Sequence, residues 1–231
     1  MRVAVVTGVS RRAGIGFAIA RRLRDDGYRV VAHAWPAAEP AVREELGADV
    51  AWVEEDFADP EAPQRVIDAT GGVDVLVANH ATDSDYALAD VTAAELDRTF
   101  AINTRAVVLL VQAFAAQGRR DGRVVLFTSG QHLGAMPGEL PYVVSKGAIH
   151  QMTRTLAAAV ADQGITVNAV NPGPVDTGWP SDELREQLRP DFPAGRWGRP
   201  EDIAPVVAWL ASPDSAWVTG QVIDAEGGFR R

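Results

Sequence analysis

The sequence contains no cysteine. That excludes a disulfide framework, a thiolate zinc site, an iron–sulfur cluster and a cysteine nucleophile. Positive charge is scarce: 22 Lys and Arg stand against 31 Asp and Glu, a formal net charge of −9. A chain of this sign repels a polyanion, so nucleic acid is not an expected partner. Long apolar runs are missing too. None approaches the roughly 18 residues of a spanning segment, so no membrane partner is expected. The apolar stretch within residues 1–8 is too short for a signal peptide, which makes the expected location cytoplasmic. The four histidines, His33, His80, His132 and His150, are scattered and lack a spacing such as His-x-x-x-His, so no metal is expected. What remains is an ordinary globular mix, 47% hydrophobic and 23% charged, which excludes disorder and fibrous repeats. At 231 residues, one domain spanning 1–231 is expected rather than two.

Lysine is the scarcest charge of all. Of the 22 basic residues, 21 are Arg and a single one, Lys146, is Lys. Guanidinium and ammonium differ chemically, the first planar and always charged, the second a compact point charge.

Short apolar runs alternate with amphipathic stretches along the chain. Strands are expected at 2–7, 29–34, 50–54, 73–78, 123–128, 166–171 and 221–224. Most are continuously apolar, as in a parallel sheet buried on both faces. Between them, Ile15, Ile19 and Leu23 recur at helical spacing, and Leu96, Phe100, Asn103, Val107, Leu110 and Phe114 form one stripe with steps of four and three. Further helices are expected over about 141–163 and after Pro200. The alternation predicts an α/β fold: a single doubly wound, Rossmann-type domain with a seven-stranded, mainly parallel sheet flanked by helices. Ligands of such sheets bind beyond the carboxyl ends of the strands, where strand order reverses. The stretch 172–200 is rich in proline yet carries Trp179, Leu184, Leu188, Phe192 and Trp197. It reads either as a flap over a pocket or as a packed crossover.

The first strand runs into Gly8, Ser10, Arg11, Arg12, Gly14, Ile15 and Gly16, where a helix begins. Strand, glycines and helix start together suit a pyrophosphate held by free N–H groups; glycines alone would mean only a turn. No Gly-Lys-Ser/Thr occurs, so this is not a Walker loop. The end of the second strand, Val30 to Trp35, has no carboxylate to hold a ribose 2′-hydroxyl. Arg11 and Arg12 would suit a 2′-phosphate instead, unless both are solvated surface charges. NADP(H) is therefore expected over NAD(H), which is left open.

Tyr142 and Lys146 lie four apart, neighbours on one helix face. With three tyrosines in the chain, a lone Lys placed at random would fall there in about 3 of 231 positions. A phenol near pKa ~10 is a poor catalyst at neutral pH, and a nearby ammonium is expected to pull it down. Ser129 closes the fifth strand thirteen residues earlier, on the same sheet edge. Asn103 is the polar member of its stripe and must be hydrogen-bonded, either bracing the helix or holding a water.

Together these segments resemble the short-chain dehydrogenase/reductase family of the Ser–Tyr–Lys type, over essentially the whole length. The segments run in order: the glycine loop, Asp56-Phe57, Asn79, Asn103, Ser129, Tyr142-x-x-x-Lys146, the run Asn171 to Thr177, and Gly220-Gln221 before Gly227-Gly228. The general shape is similar to 3-oxoacyl-[acyl-carrier-protein] reductase-like members. The resemblance implies that Tyr142 exchanges a proton with the substrate oxygen while hydride moves to or from the nicotinamide. By the same resemblance Lys146 holds the nicotinamide ribose and Ser129 the reacting carbonyl, while Asn103 anchors a water. Asp56 and Phe57 would flank the adenine, Asn79 the adenosine ribose, Thr177 the carboxamide, and Pro172, Gly173 and Val175 the nicotinamide ring. Two departures stand out: Gly8 and Gly14 enclose five residues where the family usually has three, and Ala78-Asn79-His80-Ala81 replaces Asn-Asn-Ala-Gly. His80 is read as packing, not catalysis.

The implied activity is interconversion of a ketone and a secondary alcohol. His132, Leu133, Met136, Leu140 and Trp179 are expected along the substrate cleft, and their apolar character favours an apolar carbonyl or a 3-oxoacyl thioester. A Ser129–His132 hydrolase is excluded, because Phe127 and Gln131 stand where a nucleophile elbow needs glycine. The rival from another class is a non-catalytic NAD(P)-binding regulator. Family members are usually tetramers, which implies a homotetramer or homodimer joined through helices at about 93–117 and 141–163.

Overall fold

The computed structural model describes residues 1–230. Its strands are β1 (Val3–Val6), β2 (Arg29–Ala34), β3 (Ala51–Glu54), β4 (Val75–Ala78), β5 (Arg123–Phe127), β6 (Thr166–Asn171) and β7 (Val222–Asp224). They form one sheet in the order β3-β2-β1-β4-β5-β6-β7, every pair parallel. Strand order reverses between β1 and β4, so the binding crevice opens beyond Val6 and Ala78.

The helices are α1 (Ile15–Asp25), α2 (Pro40–Leu46), α3 (Ala62–Asp68), α4 (Ala93–Phe100), α5 (Ala106–Ala116), α6 (Leu140–Ala159), α7 (Asp182–Leu188) and α8 (Pro200–Ala211). On one face of the sheet, Ile19 and Leu23 of α1 pack with Val42 of α2 and Ile203 and Leu210 of α8. On the other, Val66 of α3, Leu110 of α5 and Ile149 of α6 close a second core. Burial on both faces accounts for the unbroken apolar runs in β1, β4 and β5.

One expectation needs correction. Leu96 to Phe114 do not form a single stripe, because a π-helical turn, Ala101–Arg105, joins α4 to α5. Its extra residue rotates the helix, leaving Phe100 47% exposed while Thr99, Asn103 and Thr104 are buried. The continuous helix Ala93–Ala116 also has a mean hydropathy of 1.5 over its most apolar 18 residues, enough by composition to span a bilayer. Averaging hides the charged residues that interrupt it, and 56% of that window is buried inside the protein, as in a core helix.

The proline-rich stretch after β6 is packed. It contains α7, and Phe192 and Trp197 are buried with their rings 5.5 Å apart. Arg185 of α7 is anchored on Asp176 at 3.0 Å.

Candidate active site

The loop after β1 is fastened on both sides. Val9 N–H donates to the His33 carbonyl at the end of β2 (2.9 Å), and the Asn79 side-chain amide donates to the Thr7 and Gly8 carbonyls (3.1 and 3.3 Å). Gly8 has φ +75°, and a Cβ there would lie 2.9 Å from the His80 Cα. A Cβ on Gly16 would lie 2.4 Å from the Gly8 carbonyl oxygen. Gly14 is the N-cap of α1 and supplies no side chain to the first turn, so its N–H groups are free to meet an anion.

A cavity of about 840 Å³ extends from this loop along the carboxyl edge of the sheet. Gly8, Ser10, Arg11, Gly14, Ile15, Asp56, Phe57, Asn79, Tyr142 and Thr177, all expected from the sequence, line it. Gly16, Arg12, Pro172, Gly173, Val175, Asn103, Ser129 and Lys146 lie outside the lining. Gly16 acts by letting the loop close, and Arg12 is turned to the surface, where its guanidinium pairs with Glu45. The 2′-phosphate reading therefore applies to Arg11 alone, whose guanidinium has no partner among the described residues. Glu39 also lines the cavity and accepts a hydrogen bond from the Arg12 backbone N–H (2.9 Å).

Several lining residues were not anticipated: Trp35, Pro36 and Ala37 after β2, and Thr82, Asp83, Arg98 and Ile102 near the Tyr142 end. The rule that ligands sit beyond strand carboxyl ends, applied to β2 and β4 as well as β1, would have found the groups following those strands. The five residues expected along the substrate cleft, His132, Leu133, Met136, Leu140 and Trp179, are not in the lining. His132 lies 3.2 Å from Asp224, its ring tilted against that of His150 with centres 4.6 Å apart; Trp179 donates to the Val175 carbonyl (3.0 Å); Leu133 is exposed. Trp179 is thus held within its own loop and His132 by residues of β7 and α6, contacts that spacing along the chain could not reveal.

Tyr142 and Lys146 share one face of α6. The buried ammonium donates to the Phe127 carbonyl (3.0 Å) and stands 5.7 Å from the Tyr142 ring centre. Ser129, just past β5, hydrogen-bonds the Tyr142 hydroxyl and favours its ionised form. Burial outweighs that bond and pushes the phenol up to about 12; burial likewise lowers Lys146 to about 8. The expected depression of the phenol by the ammonium is thus not what this geometry gives. Lys146 donates to Phe127, and burial is the largest cause of the shift in both groups.

Asn103, in the π turn, is a brace. Its carbonyl oxygen accepts from the Thr82 N–H (2.8 Å), and its amide donates to the Thr82 carbonyl (2.9 Å) and the Ser145 hydroxyl (3.0 Å). It thereby ties the segment after β4 to the residue preceding Lys146.

In the cavity wall, Phe57 stacks on His33 and meets His80 at a tilt, with ring centres 4.2 Å from each. Gly8 N–H donates to His33 Nδ1 (3.4 Å), and His33 Nε2–H donates to the Glu55 carbonyl (2.8 Å). The Thr7 hydroxyl donates to His80 Nδ1 (2.7 Å), and His80 Nε2–H donates to the Ile102 carbonyl (3.1 Å). Each ring accepts on one side and donates on the other, so each is neutral. Burial lowers both pKa values, that of His80 well below 6.5. Above pH 6.5 neither ring affects the pH dependence of stability. As pH falls below that value, the unfolded chain takes up protons that the fold refuses. Stability should then drop, by at most roughly 1.4 kcal/mol per pH unit for His80, the more strongly lowered ring. Thermal unfolding between pH 7.5 and 5.5 (about two units on this scale) checks this: His80→Gln should flatten the slope, and an unchanged slope would count against the assignment.

A doubly wound sheet with an anion-binding loop at its switch point, and a Ser–Tyr pair beside a buried Lys, defines a dinucleotide-dependent oxidoreductase. Residues 8–230 match the family model described as Enoyl-(Acyl carrier protein) reductase. The uncharacterized oxidoreductase YjdA of Bacillus subtilis is 38% identical over 257 residues, covering 100% of this chain and 97% of that protein. Versicolorin reductase 1 of Aspergillus parasiticus is 35% identical over 255 residues, covering 100% and 97%. Among solved structures, a blue fluorescent protein from a metagenomic library, in complex with NADPH, superposes with a TM-score of 0.90 at 35% identity, covering 100% of this chain and 98% of its own. A 3-oxoacyl (acyl-carrier-protein) reductase from Agrobacterium tumefaciens C58 with NADP bound gives 0.88 at 30% identity, covering 99% and 94%. The chain belongs to the short-chain dehydrogenase/reductase family and is an NAD(P)-dependent oxidoreductase.

Proposed function

We propose that this protein, acting as one unit over 1–231, interconverts a ketone and a secondary alcohol with NADP(H). The supporting observation is the Ser129–Tyr142 pair at one end of the cavity, with the lone lysine of the chain buried behind it. The bound nicotinamide supplies or accepts the hydride. Tyr142 donates a proton to the substrate oxygen in reduction and removes it in oxidation. Ser129 orients that oxygen, Lys146 supplies positive charge behind the phenol, and Asn103 fixes the α6 segment that carries both.

The cavity fits an adenine dinucleotide. The uncapped start of α1 with Gly8, Ser10, Gly14 and Ile15 holds the pyrophosphate, and the missing Cβ of Gly16 makes that close approach feasible. Asp56, Phe57 and Asn79 hold the adenosine, and Thr177 the carboxamide, with Pro172, Gly173 and Val175 supporting the loop that carries Thr177. NADP(H) is preferred through Arg11. Arg11→Ala is expected to weaken NADPH binding about tenfold while NADH binding stays within about twofold, as read by fluorescence titration. An unchanged NADPH-to-NADH ratio, with loss of NADH binding in Glu39→Ala, would reverse the preference.

The 3-oxoacyl thioester expected from an apolar cleft draws its support from the Agrobacterium reductase rather than from the residues that line this cavity. A homotetramer or homodimer forms through α4, α5 and α6, where Phe100, Val108 and Val144 expose apolar side chains. A screen of ketones and alcohols with both cofactors, followed at 340 nm (the absorbance of the reduced nicotinamide, roughly where any such enzyme is assayed), tests the activity. NADPH binding without turnover across the panel would favour a non-catalytic regulator.

A further inference from the structure

The proline-rich stretch 172–199 is a lobe on a narrow neck. Its two ends meet where Val175 bridges to Gly198 and the Asp176 N–H donates to the Gly198 carbonyl (2.9 Å). None of the described residues of α7, its one helix, is buried, so that helix does not tie the lobe to the sheet. The chain that follows β7 does. A Cβ on Gly173 would lie 2.4 Å from that of Glu226, so the two backbones pass closely at the root of the lobe. The Glu226 carboxylate also accepts from the buried Asn171 amide (3.2 Å). Gly227 and Gly228, at φ +63° and +73°, then turn the chain, and the Phe229 N–H closes the turn on the Glu226 carbonyl (3.2 Å). At the far side of the lobe the Arg230 N–H donates to the Asp191 carbonyl (2.9 Å), and the Phe229 ring lies 4.7 Å from that of Phe192. Residues 226–230 therefore join the root of the lobe to its tip.

From Phe229 an unbroken series of contacts runs inward to the cavity. Phe192 packs on Trp197, with ring centres 5.5 Å apart and both residues buried. The Trp197 indole N–H donates to the Arg185 carbonyl (3.0 Å). The Arg185 guanidinium donates to both oxygens of Asp176 (3.0 and 3.1 Å). The next residue is Thr177, which lines the main cavity together with Tyr142. A lobe free to swing on its neck would carry Thr177 with it, and each link in this series opposes that swing.

We propose that Phe229 is a positioning residue for the cofactor: the turn 226–230 latches the lobe and thereby sets Thr177 against the nicotinamide carboxamide. The latch lies outside the cavity lining and acts only through the residues between. This rests on the dinucleotide reading of the cavity given above, and extends it to the end of the chain that no glycine loop or Tyr–Lys spacing marks.

The test compares two nucleotides, NADPH and 2′,5′-ADP, the second of which lacks the nicotinamide and so never reaches Thr177. Phe229→Ala should raise the NADPH Kd about fivefold, the scale of one aromatic pair. The Kd of the truncated nucleotide should stay within about twofold of wild type. Phe229→Leu, which keeps an apolar side chain against Phe192, should return most of the lost affinity. In a Thr177→Ala background, adding Phe229→Ala should cost less than about twofold, because the group it positions is already gone. Hydrogen exchange without nucleotide should rise across 172–199 in Phe229→Ala and stay at the wild-type level in β1 and β4. An unchanged NADPH Kd, or equal weakening of both nucleotides, overturns the positioning role. Exchange that rises in the sheet as well makes Phe229 a general structural residue and overturns the latch. Full additivity of the two substitutions overturns the route through Thr177. Wild-type protein that binds neither nucleotide overturns the dinucleotide reading, and the role in cofactor binding with it.

Discussion

Tyr142→Phe is expected to lower turnover by about three orders of magnitude while NADPH affinity changes by less than about threefold. The substitution removes one oxygen and keeps the ring, so α6 and the cavity wall are preserved. What is lost is the group hydrogen-bonded to Ser129 and backed by Lys146. With burial holding the phenol at about 12, Tyr142 is fully protonated at neutral pH, the form needed to donate in carbonyl reduction. Lys146 loses its charge as pH rises past about 8. The sign follows: the reduction rate should be flat near neutrality and fall above about pH 8 as the positive charge behind the phenol disappears. Steady-state rates across that range, with fluorescence titration of NADPH in wild type and variant, check both parts. Retention of more than a tenth of the turnover in Tyr142→Phe would mean that another group moves the proton.

The sheet was legible in the sequence because a strand buried on both faces writes itself as a continuous apolar run, as in Val3 to Val6 and Val75 to Ala78. The Tyr142–Lys146 pair was legible for a different reason, since one helical spacing places both groups on one face whatever surrounds them. Desolvation has no such local signature. Spacing announces an ammonium beside a phenol, but neither the burial that raises the Tyr142 pKa nor the bond from Lys146 to the Phe127 carbonyl. Leu133, Met136 and Trp179 were set along the substrate side by polarity, which does not carry a side chain's local partner, such as the Val175 carbonyl that Trp179 meets. Thr82 and Asp83 carry no motif at all; they reach the site because Asn103 holds Thr82 from the π turn. The His33–Phe57–His80 stack joins three strand ends far apart in sequence, so only the parallel order of β3, β2, β1 and β4 brings it together.

Gly16→Ala should have the second largest effect, in cofactor affinity and stability together. The backbone at Gly16 is not strained, so the effect is one of space alone. A methyl group would sit 2.4 Å from the Gly8 carbonyl oxygen and 2.7 Å from the Asn79 amide nitrogen. Neither neighbour can retreat cheaply. Gly8 is held by His33, and Asn79 is the clamp that binds the Thr7 and Gly8 carbonyls. The loop must lift off β4, which breaks that clamp and displaces the free N–H groups at the start of α1. Overpacking of this kind costs about 1–3 kcal/mol. Losing the anion cradle should raise the NADPH Kd by at least about tenfold. Gly138→Ala is the control: among the described residues no atom beyond its two chain neighbours lies within 4 Å of its added Cβ, and its φ is not in the left-handed region, so affinity and Tm should stay near wild type. If Gly16→Ala bound NADPH as tightly as this control, the loop would not be the cradle, and the close approach of Gly16 to Gly8 would be packing without a ligand to serve.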